Sequence, residues 1–122
     1  MDPQWTRPEV LSATTLIGDQ VVNTRGEDLG KLEEIMIDLF SGRVAYAVLS
    51  FGGFLGIGSK LFAIPWSALT VNTRDKNVVL DIEKSVLENA PGFDKDNWPK
   101  TTDENWLIGI YEYYGFKPYW RE

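Results

Sequence analysis

The first part of the chain consists of short apolar runs separated by turn-forming residues. Valine, isoleucine, leucine and aromatic residues concentrate in these runs, and glycine, asparagine or acidic residues stand between several of them, as at 25–28, 41–42 and 74–77. The predicted strands are residues 20–24, 30–40, 43–51, 60–64, 71–73 and 78–82. About six short strands joined mainly by tight turns are typical of a small antiparallel β-barrel. The pattern therefore predicts an all-β core.

The second predicted strand has the alternation of a half-buried strand. Successive side chains of a strand point to opposite faces. This places Ile35, Ile37 and Leu39 on one face, and Glu34 and Asp38 on the other. We therefore expect the first face to pack in the core and the second face to be mostly solvated.

A proline stops the fourth predicted strand. Phe62 and Ile64 lie on one face of this strand, and we expect both to be core residues. Pro65 cannot donate a backbone hydrogen bond to a neighbouring strand, which predicts a strand end at this position. We expect a single helical turn to follow, with Trp66 packed beneath it.

The last part of the chain has a helical period. Apolar residues of the segment 82–90 share one side of a helical projection, and Pro91 and Gly92 stop this segment. A second helix is expected to begin after a capping residue within 101–103 and to end at Gly115. Its broad apolar face consists of Trp106, Leu107, Ile110, Tyr111, Tyr113 and Tyr114.

These patterns divide the chain of 122 residues into three parts. Residues 1–10 are mostly polar, contain prolines and are expected to form a flexible arm. Residues 11–82 are expected to form the barrel, and residues 83–122 a helical, aromatic-rich extension that packs on it. A chain of this length buries enough surface for one core, so no second folding unit is needed.

The order of elements in residues 11–82 resembles that of a known family. The most specific stretch, 52–66, reads GGFLGIGSKLFAIPW, and it follows Leu16-Ile17-Gly18, a glycine-bounded turn at 26–30 and a hairpin at 38–43. Together these features resemble the PRC-barrel family, the small barrel module of the photosynthetic reaction-centre H subunit and of a ribosome-maturation protein. The resemblance implies a non-catalytic adaptor or assembly domain that contacts protein or RNA partners, and it transfers no catalytic residues to this chain.

Composition excludes much enzyme chemistry. The chain has no cysteine and no histidine, so it lacks thiolate nucleophiles, imidazole bases and the metal ligands that both residues supply. We expect no catalytic, cofactor-binding or metal-binding residues, and no cofactor. Glu33, Glu34 and Asp38 form the densest acidic group on a predicted strand. Glu33 is expected to point away from the other two, which lie about 13 Å apart along the strand at ~3.3 Å per residue.

Charge and hydropathy limit the partners. The chain carries 12 basic and 18 acidic residues, a net charge of −6, without a basic block. This balance argues against a nucleic-acid partner, because phosphate backbones bind cationic surfaces. The first nine residues contain no apolar signal region, and no apolar run is long enough to span a bilayer. We therefore expect no transmembrane segment and a cytoplasmic location.

Two groups of residues are candidates for an interaction surface. They are Phe54, Leu55 and Ile57 in the glycine-punctuated loop, and Phe116, Tyr119 and Trp120 beyond the predicted helix stop. The loop either packs on the mouth of the barrel or binds a partner. The aromatic extension covers either its own barrel or that of a second copy, in which case the protein is a homodimer.

The sequence favours a non-catalytic protein-interaction or assembly module whose partner is unknown. One alternative is a ribosome- or RNA-processing accessory factor, by analogy with the maturation protein. A second alternative is an enzyme that uses carboxylate or Ser–Lys chemistry, for which Ser59 and Lys60 are the adjacent pair beside the apolar loop. Adjacent residues of an extended segment point to opposite faces, which places this pair poorly for proton transfer.

Overall fold

The computed structural model describes residues 8–52, 60–100 and 102–121. Within these residues the strands are β1 (Gln20–Val22), β2 (Asp28–Ile37), β3 (Val44–Phe51), β4 (Lys60–Ile64), β5 (Leu69–Asn72) and β6 (Asn77–Leu80). The α-helices are α1 (Ala13–Leu16), α2 (Lys84–Glu88) and α3 (Glu104–Tyr114). One-turn 3₁₀ helices cover Trp66–Ala68 and Tyr119–Arg121.

The strands form one sheet that curls into a half-barrel, in the order β4-β3-β2-β1-β6-β5. Neighbouring strands pair antiparallel, except that β1 and β6 run parallel. Short, mostly antiparallel strands that curl around one core are the architecture of small β-barrels. The predicted barrel of about six strands with two carboxyl-terminal helical segments is therefore confirmed.

One face of the sheet holds the core. Its fully packed members are Leu16, Val21, Leu29, Leu32, Ala47, Leu49, Phe62, Ile64, Val78, Leu80 and Leu87. The predictions for Phe62 and Ile64 are confirmed, and β4 ends at Ile64, directly before Pro65. Trp66 is half-buried against this core at the start of the expected helical turn. Leu87 is fully buried in the same core, so α2 packs against it.

A bulge in β2 changes which of its side chains reach the core. Leu29 and Leu32 are both buried although they are three positions apart, because the register against β1 shifts between them. Gly30 lies in this shift with φ +97°, a backbone conformation that favours glycine. A Cβ atom at Gly30 would lie 2.1 Å from the carbonyl oxygen of Ser50 on β3. The bulge therefore depends on the close approach of two backbones.

The predicted core face of the second strand is wrong beyond Ile35. Ile35 packs against the core, but Ile37 is 51% exposed and Leu39 is 96% exposed. The strand ends at Ile37, and its register against β3 shifts between Met36 and Ile37. The alternation of buried and exposed side chains therefore does not continue into residues 38–40, which belong to a turn.

We expect the substitution Gly30→Ala to lower the free energy of unfolding by about 3 kcal/mol, since it combines an unfavourable positive φ with a backbone clash. Gly42→Ala is the matched control, because Gly42 has a similar φ of +74° and a Cβ atom there would meet nothing within 4 Å. We expect this control to cost about 1 kcal/mol. Urea denaturation measures both values, and equal losses would contradict the importance of the Ser50 contact.

The other face of β3 is covered by α3. Tyr111 on this helix is 2% exposed, and its hydroxyl donates a hydrogen bond of 2.6 Å to the carbonyl oxygen of Ala45. Burial raises the pKa of Tyr111 to about 12, so the hydroxyl keeps the proton that it donates. The ring of Trp106 packs edge-on against that of Tyr46, with centroids 5.4 Å apart. The aromatic helix thus packs on its own sheet.

The ends of α3 follow the sequence signals. The side chain of Asp103 accepts a hydrogen bond of 2.9 Å from the backbone N–H of Trp106, which caps the first turn. Gly115 has a left-handed backbone with φ +78°, and the helix ends there. Both predicted helix ends are therefore confirmed.

Candidate interaction surface

The six residues predicted to form an interaction surface fall into two groups in the structure. Phe54, Leu55 and Ile57 lie outside the described residues. Phe116, Tyr119 and Trp120 lie in the segment that follows α3, and each is half-buried. We call residues 115–121 the C-terminal strap. Their role in binding a partner stays a prediction, while their contacts within the chain are visible.

Tyr119 joins the C-terminal strap to the hairpin between β2 and β3. Its hydroxyl donates a hydrogen bond of 2.5 Å to Oδ2 of Asp38, at the end of β2. The guanidinium of Arg43 lies 5.0 Å from the centre of the Tyr119 ring, and its Nη1 donates to the Tyr119 carbonyl oxygen at 3.2 Å. The strap therefore holds both sides of the hairpin turn.

Trp120 fixes the strap to α3. Its indole Nε1 donates a hydrogen bond of 3.1 Å to Oε2 of Glu104, in the first turn of the helix. The rings of Tyr119 and Trp120 both contact the ring of Tyr111, with centroids 6.1 and 5.5 Å away. Because Tyr111 is itself anchored to β3, the strap connects the hairpin turn to the covered face of the sheet.

The hairpin turn is also fixed by its own backbone. Asp38 makes backbone hydrogen bonds across the turn: its N–H donates to the Arg43 carbonyl, and its carbonyl accepts from Gly42, both at 2.8 Å. Its carboxylate Oδ1 accepts from the N–H groups of Phe40 and Ser41 at 2.9 and 3.4 Å. Such side-chain bonds to the following backbone are typical of aspartate in tight turns.

The electrostatic state of Asp38 agrees with these bonds. The hydrogen bond from the Tyr119 hydroxyl and that from the Phe40 amide hold the pKa of Asp38 below its usual value. Burial raises the pKa of Tyr119, and the hydrogen bond to the Asp38 carboxylate raises it further. At neutral pH the pair is thus a charged acceptor with a neutral donor, which is the stronger form of such a bond.

Two large apolar side chains project from the turn that these hydrogen bonds hold in place. Leu39 is 96% exposed and Phe40 is fully exposed. We call these two residues the apolar tip. Single exposed apolar residues are common on protein surfaces, but two adjacent ones on a turn held by the Asp38 and Tyr119 contacts are not explained by the folding of this chain.

The exposure of the apolar tip was not predicted, because the second strand was expected to extend to residue 40 and to place Leu39 in the core. A signal was nevertheless present: Asp38 followed by Ser41 and Gly42 has the composition of a turn. Leucine and phenylalanine are unusual inside such a turn. The position of Leu39 and Phe40 between turn-forming residues, and not within a strand, would have indicated that their side chains are exposed.

A groove of about 540 Å³ lies between residues of β2, β3 and β4 and the segment 94–98. It is lined by Glu33, Glu34, Leu61, Asp94, Asp96 and Trp98, together with Ser50 and Lys95. The register shift between Leu32 and Glu34 brings Glu33 and Glu34 to one groove. The expectation that Glu33 points away from Glu34 is therefore wrong. We call this feature the acidic groove.

The segment 92–98, which forms one side of the acidic groove, is attached to β4. Phe93 and Leu61 exchange backbone hydrogen bonds of 2.8 and 2.9 Å, so residue 93 continues the sheet for one position. Gly92 permits this approach, since a Cβ there would lie 2.9 Å from the Leu61 carbonyl oxygen. The ring of Phe93 then supports that of Trp98, at a centroid distance of 5.0 Å.

Neither feature has the geometry of a metal centre. Within residues 8–52, 60–100 and 102–121, no three acidic side chains converge as ligands of one ion. The helices described in those ranges are also too short and too polar for any of them to cross a bilayer.

The six-stranded sheet that curls around one core, with a few short helices, is the architecture of a small β-barrel module. The chain belongs to the PRC-barrel domain family, whose model matches residues 8–87. The match ends within α2, so α3 and the C-terminal strap lie outside it. A comparison with curated proteins found no similar sequence.

Proposed function

We propose that this protein is a non-catalytic interaction module that binds a protein partner through the apolar tip. The observation that carries the proposal is the exposure of Leu39 and Phe40 on a turn that is held in place from both sides. Rigid presentation favours binding, because little conformational freedom remains to be lost when the partner docks. A cytoplasmic location, expected from the sequence, stays part of the proposal.

The shape of the tip indicates the kind of partner. Large apolar side chains that enter a desolvated pocket dominate the energetics of most protein interfaces. A projecting pair such as Leu39 and Phe40 therefore requires a concave apolar site on the partner. The net charge of −6 favours a protein over a nucleic acid, whose phosphates bind cationic surfaces.

A photo-crosslinking amino acid at position 40 tests this proposal in cells. Because Phe40 is fully exposed, an aromatic photo-crosslinker at this position leaves the fold unchanged. We expect discrete crosslinked products at position 40. The control carries the same group at Thr73, which is exposed on the turn between β5 and β6. Products that are absent at position 40, or that are equally abundant at position 73, would overturn the proposal.

A further inference from the structure

The core of the barrel is complete without the C-terminal strap. Its fully packed residues all lie between Leu16 and Leu87, whereas the strap follows α3 and lies outside the part of the chain that the family model matches. The strap itself contributes only half-buried and exposed side chains. Segments of this kind open locally at a lower free energy than that of global unfolding. The strap can therefore leave the sheet while the core stays folded.

The contacts at the end of the C-terminal strap lie at the surface. Trp120 and Arg121 both reach Oε2 of Glu104, at 3.1 and 3.8 Å, and the side chains of Arg121 and Glu104 are 55% and 61% exposed. Exposed ion pairs contribute little to stability. Gly115 separates the strap from α3 with a left-handed backbone, and glycine adopts several other conformations at low cost. We therefore expect the strap to open about Gly115, while the Tyr111 hydroxyl keeps α3 on β3.

The hairpin end that carries the apolar tip extends beyond the core. The core members nearest to it along the chain are Ile35 on β2 and Ala47 on β3. The last pair of these strands joins Ile37 to Val44, and neither side chain is buried. Two-stranded hairpins without packing against other elements are marginally stable in water. The contacts from Tyr119 therefore restrict the motion of this turn, and an open strap leaves the turn without them.

We infer that the C-terminal strap regulates the apolar tip, with Tyr119 as the positioning residue. When the strap is closed, the turn is held in one conformation, and little freedom is lost as Leu39 and Phe40 dock. When the strap is open, the partner must order the turn as it binds, which lowers the affinity. Since the two equilibria are linked, binding at the tip also favours the closed strap. This inference rests on the proposed function.

The substitution Tyr119→Phe tests the inference, because it removes the hydroxyl that binds Asp38 and keeps the ring. Tyr113→Phe is the matched control, since it also loses a hydroxyl that donates to a surface acceptor, in this case a backbone carbonyl of α2. The N–H groups of Phe40 and Gly42 both bind Asp38. We expect their hydrogen exchange to be about tenfold faster in Tyr119→Phe, and unchanged in the control.

Two further measurements distinguish positioning from a general loss of stability. An NMR titration of the Asp38 carboxyl should show that its pKa moves up toward the usual value in Tyr119→Phe, because the bond from Tyr119 is the largest cause of the lowered pKa. The yield of crosslinked product from a photo-crosslinking amino acid at position 40 in cells should fall by about fivefold or more in the same variant. Tyr113→Phe should leave both quantities unchanged.

The other outcomes separate this inference from the proposed function. Equal exchange rates at Phe40 and Gly42 in the two variants would overturn the role of Tyr119 in holding the turn. Faster exchange with an unchanged yield at position 40 would overturn the regulation and leave the proposed function intact. If position 40 forms no crosslinks even with Tyr119 present, the proposed function fails and the regulation fails with it, whatever the exchange rates are.

Discussion

Replacement of Tyr111 by alanine is expected to lower the free energy of unfolding by about 4 kcal/mol, which is a large part of the stability of a small domain. The ring is buried between β3, Tyr119 and Trp120, and its hydroxyl binds the carbonyl oxygen of Ala45. The substitution would leave a cavity and an unpaired carbonyl oxygen, and it would release the C-terminal strap. Denaturant unfolding measures the loss.

Two further variants separate the contributions of the ring and the hydroxyl. Tyr111→Phe keeps the ring and removes the hydrogen bond, and we expect it to cost about 1–2 kcal/mol. Tyr113→Ala is the control on the same helix, because Tyr113 is partly exposed and donates to the Val86 carbonyl oxygen at the protein surface. We expect it to cost about 1 kcal/mol. If Tyr111→Ala lowered the free energy of unfolding no more than this control does, α3 would not be part of the folding unit.

Local sequence signals predicted the elements whose ends depend on local chemistry. Asp103 and Gly115 define α3 because a carboxylate cap and a left-handed glycine act within one helical turn. Phe62 and Ile64 were predicted correctly because β4 pairs regularly with β3, without a bulge. In such segments the period of the apolar residues is preserved in the structure.

The alternation in β2 was not predictable from its own residues. Gly30 permits a bulge only because the backbone of Ser50 approaches it, and that approach depends on how β3 pairs. The shift at Glu33 and Glu34 has the same origin, and it decides that both side chains line one groove. Side chains alternate between the two faces of a strand only where the strand pairs regularly with its neighbour, and a bulge interrupts this pairing.

The contacts that hold the turn of the apolar tip join residues that are far apart in the sequence. Tyr119 and Asp38 are 81 positions apart, and nothing in the sequence near either residue specifies the other. The sequence indicated that Tyr119 and Trp120 were candidates for a surface. Only the fold shows that Tyr119 holds the hairpin whose turn exposes Leu39 and Phe40.

The double substitution Leu39→Ser with Phe40→Ser is expected to have the largest effect on binding. Central apolar residues of an interface contribute about 2 kcal/mol or more each when truncated, so the loss of both corresponds to a ~1,000-fold weaker partner affinity. The free energy of unfolding should change by no more than about 0.5 kcal/mol, since both side chains are already exposed to solvent. Binding and folding are thus separable at this turn.

Val10→Ser is the matched control for this variant. Val10 is also a strongly exposed apolar residue, but it lies before α1 and not on the hairpin. We expect both its unfolding free energy and its partner affinity to equal those of the unsubstituted protein. A loss of affinity in this control would mean that general surface hydrophobicity, and not the apolar tip, drives association.

The most direct test of the apolar tip as the binding surface is the affinity of the Leu39→Ser, Phe40→Ser variant for the partner that crosslinks at position 40. We expect the variant to unfold at the same denaturant concentration as the unsubstituted protein and no longer to bind this partner. Unchanged affinity in a variant that folds normally would show that the apolar tip is not the binding surface.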